Sequence, residues 1–294
     1  HVTGPPRQRV QSHYAMRPPS TSPPTRQQTN APHGSGADHD SVEQPQQQQR
    51  FLLFSQPRSA SSSFVNLLNA HPQVLCEAEV LSDSWDADGQ AWKRDLGFRK
   101  KGDIMRRLPS FMASFWASAC GFRPIGPSSR AVQRLRRRKR LPSACGFKVF
   151  QRHFRWMPPA ANLSRLLRGA PPGSVRVIVL ERRNVSAEFG SWRRAMTSGN
   201  WGITPGAQRD TAAVGFRNPA RAANTTFAQF ARMHRAWFQK ARELVPRPLL
   251  LHLWAEDLTR DNASLLDATA RALAFLRVAQ GPGLSTYADA FARG

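Results

Sequence analysis

Apolar positions along this chain fall into two alternating rhythms from Phe51 onward. Short runs at 51–55, 74–78, 146–150, 175–181 and 248–254 are mostly apolar and rich in Val, Leu and Phe. They predict strands buried on both faces. Between them, apolar residues recur at helical spacing over 63–70, 103–118, 160–168, 185–198, 225–245 and 262–277. The clearest helix is 225–245, where Phe227, Phe230, His234, Trp237, Ala241 and Leu244 form one stripe behind a cap at Asn224. Strands alternating with helices predict an α/β fold, a three-layer sandwich with a central parallel sheet flanked by helices. Ligands of such sheets bind beyond the carboxyl ends of the strands, so the polar residues at those ends matter most.

Before Phe51 the pattern disappears. Residues 1–49 are rich in Pro, Gln, Ser and Gly, and they predict a disordered tail or stem. A single folded domain is expected over 50–280 and a short tail over 281–294. Over the whole chain, 40% hydrophobic content with eight Trp and seventeen Phe is enough for a sizeable core. No apolar run approaches the length of a transmembrane helix. The chain opens on His1 rather than Met, and an anchor or signal ahead of it is compatible with the pattern.

Charge narrows the partners. Residues 1–50 hold five Arg against Asp38, Asp40 and Glu43, so the net charge of +24 sits almost wholly on the folding part. Such a field attracts polyanions: nucleic acid, anionic membrane, acidic polysaccharide or a nucleotide. The run Ser128 to Leu141 concentrates it. That run reads as a solvated loop or helix, or as a patch for an anionic acceptor. Cys76, Cys120 and Cys145 have neither zinc spacing nor a disulfide framework. Three buried free thiols are expected, with a Cys120–Cys145 bridge as the alternative.

Three strand ends carry candidate chemistry. After the first strand comes Pro57-Arg58-Ser59-Ala60-Ser61-Ser62-Ser63, a small-residue loop that runs into a helix. Backbone N–H groups, hydroxyls, a helix N-terminus and a fixed cation there make an anion cradle. It lacks the Gly-x-x-x-x-Gly-Lys-Ser/Thr spacing of a nucleoside triphosphatase. After the second strand, Glu79 follows Arg58 by 21 positions and is carried back to the same edge. A carboxylate there can act as general base for a hydroxyl, or be a plain surface acid. Glu77 is the neighbouring alternative. After the fourth strand, Arg183 and Ser191 lie eight residues apart, about two helical turns, and can share one anionic group. Lys148 and His153, at the third strand, are further candidates for acceptor or donor contact.

Together these stretches resemble the sulfotransferases that use 3′-phosphoadenosine 5′-phosphosulfate. Pro57-Arg58-Ser59-Ala60-Ser61-Ser62 looks like their 5′-phosphosulfate loop, and Arg183 with Ser191 like their 3′-phosphate motif. His252-Leu-Trp254-Ala-Glu256-Asp257-Leu258, with Phe275-Leu276 after it, is similar to the Tyr-Glu-Asp-Leu strand and Phe-Leu helix near the family's C-terminus. The stretch Arg58 to Glu79 is most similar to Golgi tyrosylprotein sulfotransferases. Arg183 to Trp201 looks more like trehalose-type carbohydrate sulfotransferases.

The resemblance implies a P-loop-like sheet and a set of roles. Arg58 would neutralise the leaving oxygen, the amides of Ser59, Ala60, Ser61, Ser62 and Ser63 would hold the 5′-phosphate, and the Ser61 and Ser62 hydroxyls would assist. Arg183 and Ser191 would grip the 3′-phosphate, Glu79 would be the base, and no metal is implied. Ala60 stands where the family has Gly; a left-handed backbone there would cost about 1 kcal/mol.

The implied acceptor has a free hydroxyl, on an acidic polysaccharide or an acidic peptide, with tyrosylprotein sulfation as the alternative reading. From a different class, a basic polyanion- or nucleic-acid-binding protein would explain the charge but neither loop, and no specific nucleic-acid motif is evident. A kinase on a similar sheet would need a Gly-Lys-Thr/Ser loop, which is missing. Sequons at Asn162, Asn224 and Asn262 point to the Golgi lumen, with the cytoplasm as the alternative; a fourth, at Asn184, lies in the anion site and is not expected to be modified.

Overall fold

Phe51 to Phe54 and Val177 to Leu180 are fully buried, and their strands pair side by side at the middle of a parallel sheet. The computed structural model describes residues 48–77, 80–81, 104, 106–117, 142–151, 164–167, 173–199 and 218–279. All of them belong to one compact unit, Pro45–Gly294. In chain order they form β1 (Gln49–Ser55), α1 (Ser61–Ala70), β2 (Val74–Glu77), α2 (Leu108–Phe115), β3 (Ala144–Phe150), β4 (Val175–Glu181), α3 (Val185–Ser198), α4 (Pro219–Asn224), α5 (Phe227–Leu244), β5 (Leu250–Trp254) and α6 (Asn262–Phe275). The sheet order is β2-β3-β1-β4-β5, parallel throughout.

The period of two along each strand divides the core. Phe51, Leu53, Ile178 and Leu253 point to the face covered by α1 and α6. Leu52, Phe54, Phe147 and Val179 point to the face covered by α2 and α5, where Trp237 stacks on Phe54 at 4.4 Å. This is the expected three-layer α/β sandwich. Gly146 lets β3 lie against β1, since a Cβ there would stand 2.3 Å from the Phe51 carbonyl oxygen. A smaller cluster of Trp192, Met196, Ala222 and Phe230 joins α3, α4 and α5.

This order creates a crevice. α1 leaves β1 on one face, whereas α3 leaves β4 and packs towards α5 on the other. The carboxyl ends of these neighbouring strands therefore flank a switch point, where ligands of open α/β sheets bind.

Several expectations shift. The helix expected over 225–245 is α5, at 227–244, but its cap is not Asn224: that residue ends α4, a short helix the pattern did not predict, and Thr226 caps α5 through a reciprocal box with Gln229. Phe227 is 46% exposed, and Phe238 is buried in the stripe in its place. β5 starts at Leu250 rather than 248 because Arg247–Leu249 form a 3-10 turn behind Pro246. β1 begins at Gln49, within the stretch assigned to the tail. Cys76 is free and buried, but Cys145 is disulfide-bonded, so the three thiols are not all free. Cys120, Glu79, His153, Asn162 and the 128–141 run lie outside the described residues. Among the described residues no helix is long and apolar enough to cross a membrane.

Candidate functional site

The loop after β1 is held in an uncommon backbone shape. Arg58 has φ 74° and Ala60 φ 57°, both left-handed, at about 1–2 kcal/mol for each non-glycine residue. Local bonds hold this shape. The buried Ser59 hydroxyl donates to the Gln56 carbonyl at 2.7 Å, and Arg182 Nη1 donates to the Arg58 carbonyl at 3.2 Å. Ala60 then opens α1 with no side chain to cap it, and the first turn carries no acidic residue. The first N–H groups of α1 consequently keep their capacity for an anion.

The junction after β4 faces this loop. Asn184 caps α3 by accepting from the Ala187 N–H at 2.8 Å. Ser191 lies two turns along, and Arg58 Nε donates to its hydroxyl at 2.7 Å. The two strand–helix junctions meet. Arg183 opens the same junction. Its guanidinium lies over the Trp254 ring, 4.8 Å from the centroid, and 3.9 Å from Asp257 Oδ1. Its side chain is half-exposed at the mouth of the crevice.

Positive charge concentrates at the meeting point. Burial lowers the pKa of the Arg58 guanidinium below its ordinary value, and nearby Arg194 and Arg182 lower it further. A guanidinium stays charged regardless, so the three cations favour an anionic ligand among them. Arg194 was not singled out from the sequence; its position three residues after Ser191 on one helix face was the available signal. Lys148 is almost fully buried in β3, and its ammonium donates to the Ser62 hydroxyl at 3.1 Å. It stands between the β1 loop and the end of β2, where Glu77 is half-buried. Beside Ala60 a cavity of about 440 Å³ opens between Ser63, Phe64 and Leu67 of α1 and the Leu258–Leu265 stretch.

Beneath the β4–α3 junction lies a buried ionic cluster that the strand and helix patterns did not reveal. Glu181 Oε2 accepts from Arg242 Nη1 at 2.7 Å and lies 2.9 Å from His252 Nε2. Burial alone would raise the Glu181 pKa, but these bonds outweigh it and hold the carboxyl below its ordinary value. His234 bridges from Glu181, at 4.0 Å, to the fully buried Glu188, at 3.4 Å. Burial raises the Glu188 pKa.

No protein-family model matches the chain, and no curated protein matches it. Similar solved structures include a sulfotransferase from Alicyclobacillus acidocaldarius, at 13% identity over 83% of this chain and 91% of that one, with a TM-score of 0.42. The sulfotransferase domain from the curacin biosynthetic pathway is 16% identical over 81% and 76%, with a TM-score of 0.44. Retinol dehydratase in complex with androsterone and the inactive cofactor PAP is 14% identical over 82% and 64%, with a TM-score of 0.35. At these TM-scores the functional reading rests on the chain's own residues.

Proposed function

We propose that the chain is a sulfotransferase that takes 3′-phosphoadenosine 5′-phosphosulfate as donor and sulfates a hydroxyl of a carbohydrate or other acceptor. The observation that carries this reading is the 2.7 Å bond from Arg58 to Ser191, which makes one two-ended anion site from two strand–helix junctions. The residues present fit the donor. α1 offers an uncapped N-terminus, Arg58, Arg182 and Arg194 concentrate positive charge, and the cavity beside Ala60 falls in the size range of small-molecule sites.

The donor, when bound, supplies the sulfuryl group together with its own leaving group. Arg58 and the N–H groups of Ser59 to Ser63 hold the 5′ end and counter the negative charge that develops there. Lys148, directed at Ser62, adds a cation on the β3 side. Arg183, over Trp254, and Ser191 take the 3′-phosphate. Glu79 keeps the role of base that its sequence position implies: it would remove the proton from the acceptor hydroxyl as that oxygen bonds to sulfur and the bond from sulfur to the bridging oxygen breaks, its electron pair leaving on the 5′-phosphate. The basic surface favours an acidic polysaccharide or acidic peptide as acceptor. A Golgi lumen location with a glycan at the exposed Asn224 belongs to the same proposal; Asn262 lines the cavity beside Ala60 and is left unmodified in it.

The test is transfer of radioactive sulfate from labelled donor to a panel of acidic polysaccharides and tyrosine-containing acidic peptides. Glu79→Gln is expected to lower turnover by about 10²–10⁴-fold, the range for a positioned base, with donor affinity intact. Loss of donor binding in that variant would exclude Glu79 as base. Absence of transfer to every acceptor together with tight binding of DNA would favour a polyanion binder.

A further inference from the structure

The Glu256 carboxylate lies between two of the strand-end loops. Its Oε2 accepts from the Arg183 N–H and its Oε1 from the Asn184 N–H, both at 3.1 Å. Arg182 Nε lies 3.9 Å from the same Oε1, while Arg182 Nη1 reaches away to the Arg58 carbonyl at 3.2 Å. Arg58, left-handed at φ 74°, then turns its own Nε to Ser191 on α3. The contacts form a closed ring: Glu256, Arg182, the Arg58 carbonyl, the Arg58 side chain, Ser191, α3 and the Arg183–Asn184 amides.

We propose that Arg182, held by Glu256, is a positioning residue that fixes the β1–α1 loop in its anion-binding shape and ties it to the β4–α3 junction. This rests on the donor reading above. A left-handed non-glycine residue persists where its surroundings over-determine it, and the Arg182 bond to the Arg58 carbonyl is such a constraint. The planar guanidinium fixes Nε and Nη1 in diverging directions, so one side chain pairs with Glu256 through one nitrogen and donates to the Arg58 carbonyl through the other. A lysine has the charge without the second nitrogen.

Calorimetric titration of the full chain with adenosine 5′-monophosphate and with adenosine 3′-monophosphate tests the proposal, on wild type, Arg182→Lys and Arg182→Ala. Both variants are expected to bind the 5′-monophosphate about tenfold more weakly and the 3′-monophosphate within about twofold of wild type. Retained 5′ affinity in Arg182→Lys overturns the proposal, because charge alone then suffices; equal loss for both nucleotides overturns it as well. Hydrogen exchange gives a reading that needs no ligand: the Phe64 amide, which donates to the Ala60 carbonyl and is the first bonded one of α1, should lose protection in Arg182→Lys while the β1 amides keep theirs. Unchanged protection contradicts the brace. If wild type binds neither nucleotide, the donor reading fails and hydrogen exchange alone decides the brace.

Discussion

Arg58 and Ala60 hold adjacent corners of the anion loop in left-handed backbone, and the polar contacts of Ser59 and Arg182 maintain them. The strain at Ala60 was readable in advance, because a loop of this kind has glycine there. The Arg182 and Glu256 contacts were not, since residue order shows that an arginine stands at a strand end but not where its guanidinium turns. Glu188 was equally hidden, because apolar spacing places a helix over 185–198 but does not show that an acid in its first turn is buried. Its full burial against His234 has a measurable consequence. A carboxyl whose folded pKa lies above its ordinary 4.5 contributes stability below that pH and loses it as pH rises through the folded value. Glu188→Gln mimics the neutral form and removes this loss. Melting temperatures measured from about pH 4 to about pH 8 should show the variant gaining on wild type as pH rises. A constant offset across the series would contradict the assignment.

Elements with clear signals at both ends matched their expected bounds. β4 and α3 did so at 175–181 and 185–198, because a strand buried on both faces is followed by the Asn184 cap and a helix closed by Gly199 at φ 78°. The cap of the 225–245 helix was misplaced at Asn224 because two polar residues that can cap lie close together, and α4, at six residues, is too short to show a period of its own. Asn218 starts α4, and the Thr226–Gln229 box starts α5. The stability cost of removing each candidate cap separates the readings. Thr226→Ala should cost about 1 kcal/mol in urea unfolding, while Asn224→Ala, at a helix C-terminus, should fall within about 0.5 kcal/mol of wild type. Equal costs would restore Asn224 as a cap.

Across the whole molecule, the sheet order β2-β3-β1-β4-β5 sends the chain to opposite faces after β1 and β4, so their loops flank one crevice. The alternation of strands and helices predicted the parallel three-layer fold, and Arg58 and Arg183 stand just past the ends of β1 and β4, where it put the candidate site. Strand order, which brings Ser191 against Arg58 across 133 residues of sequence, emerges only on folding. The net charge of +24 then has a local focus in Arg58, Arg182 and Arg194. Calorimetric titration with adenosine 3′,5′-bisphosphate tests the two-ended site most directly. The account predicts saturable one-to-one binding that weakens by about tenfold or more in Arg58→Ala and in Arg183→Ala while both variants stay folded. No binding, or binding that neither substitution weakens, would contradict it.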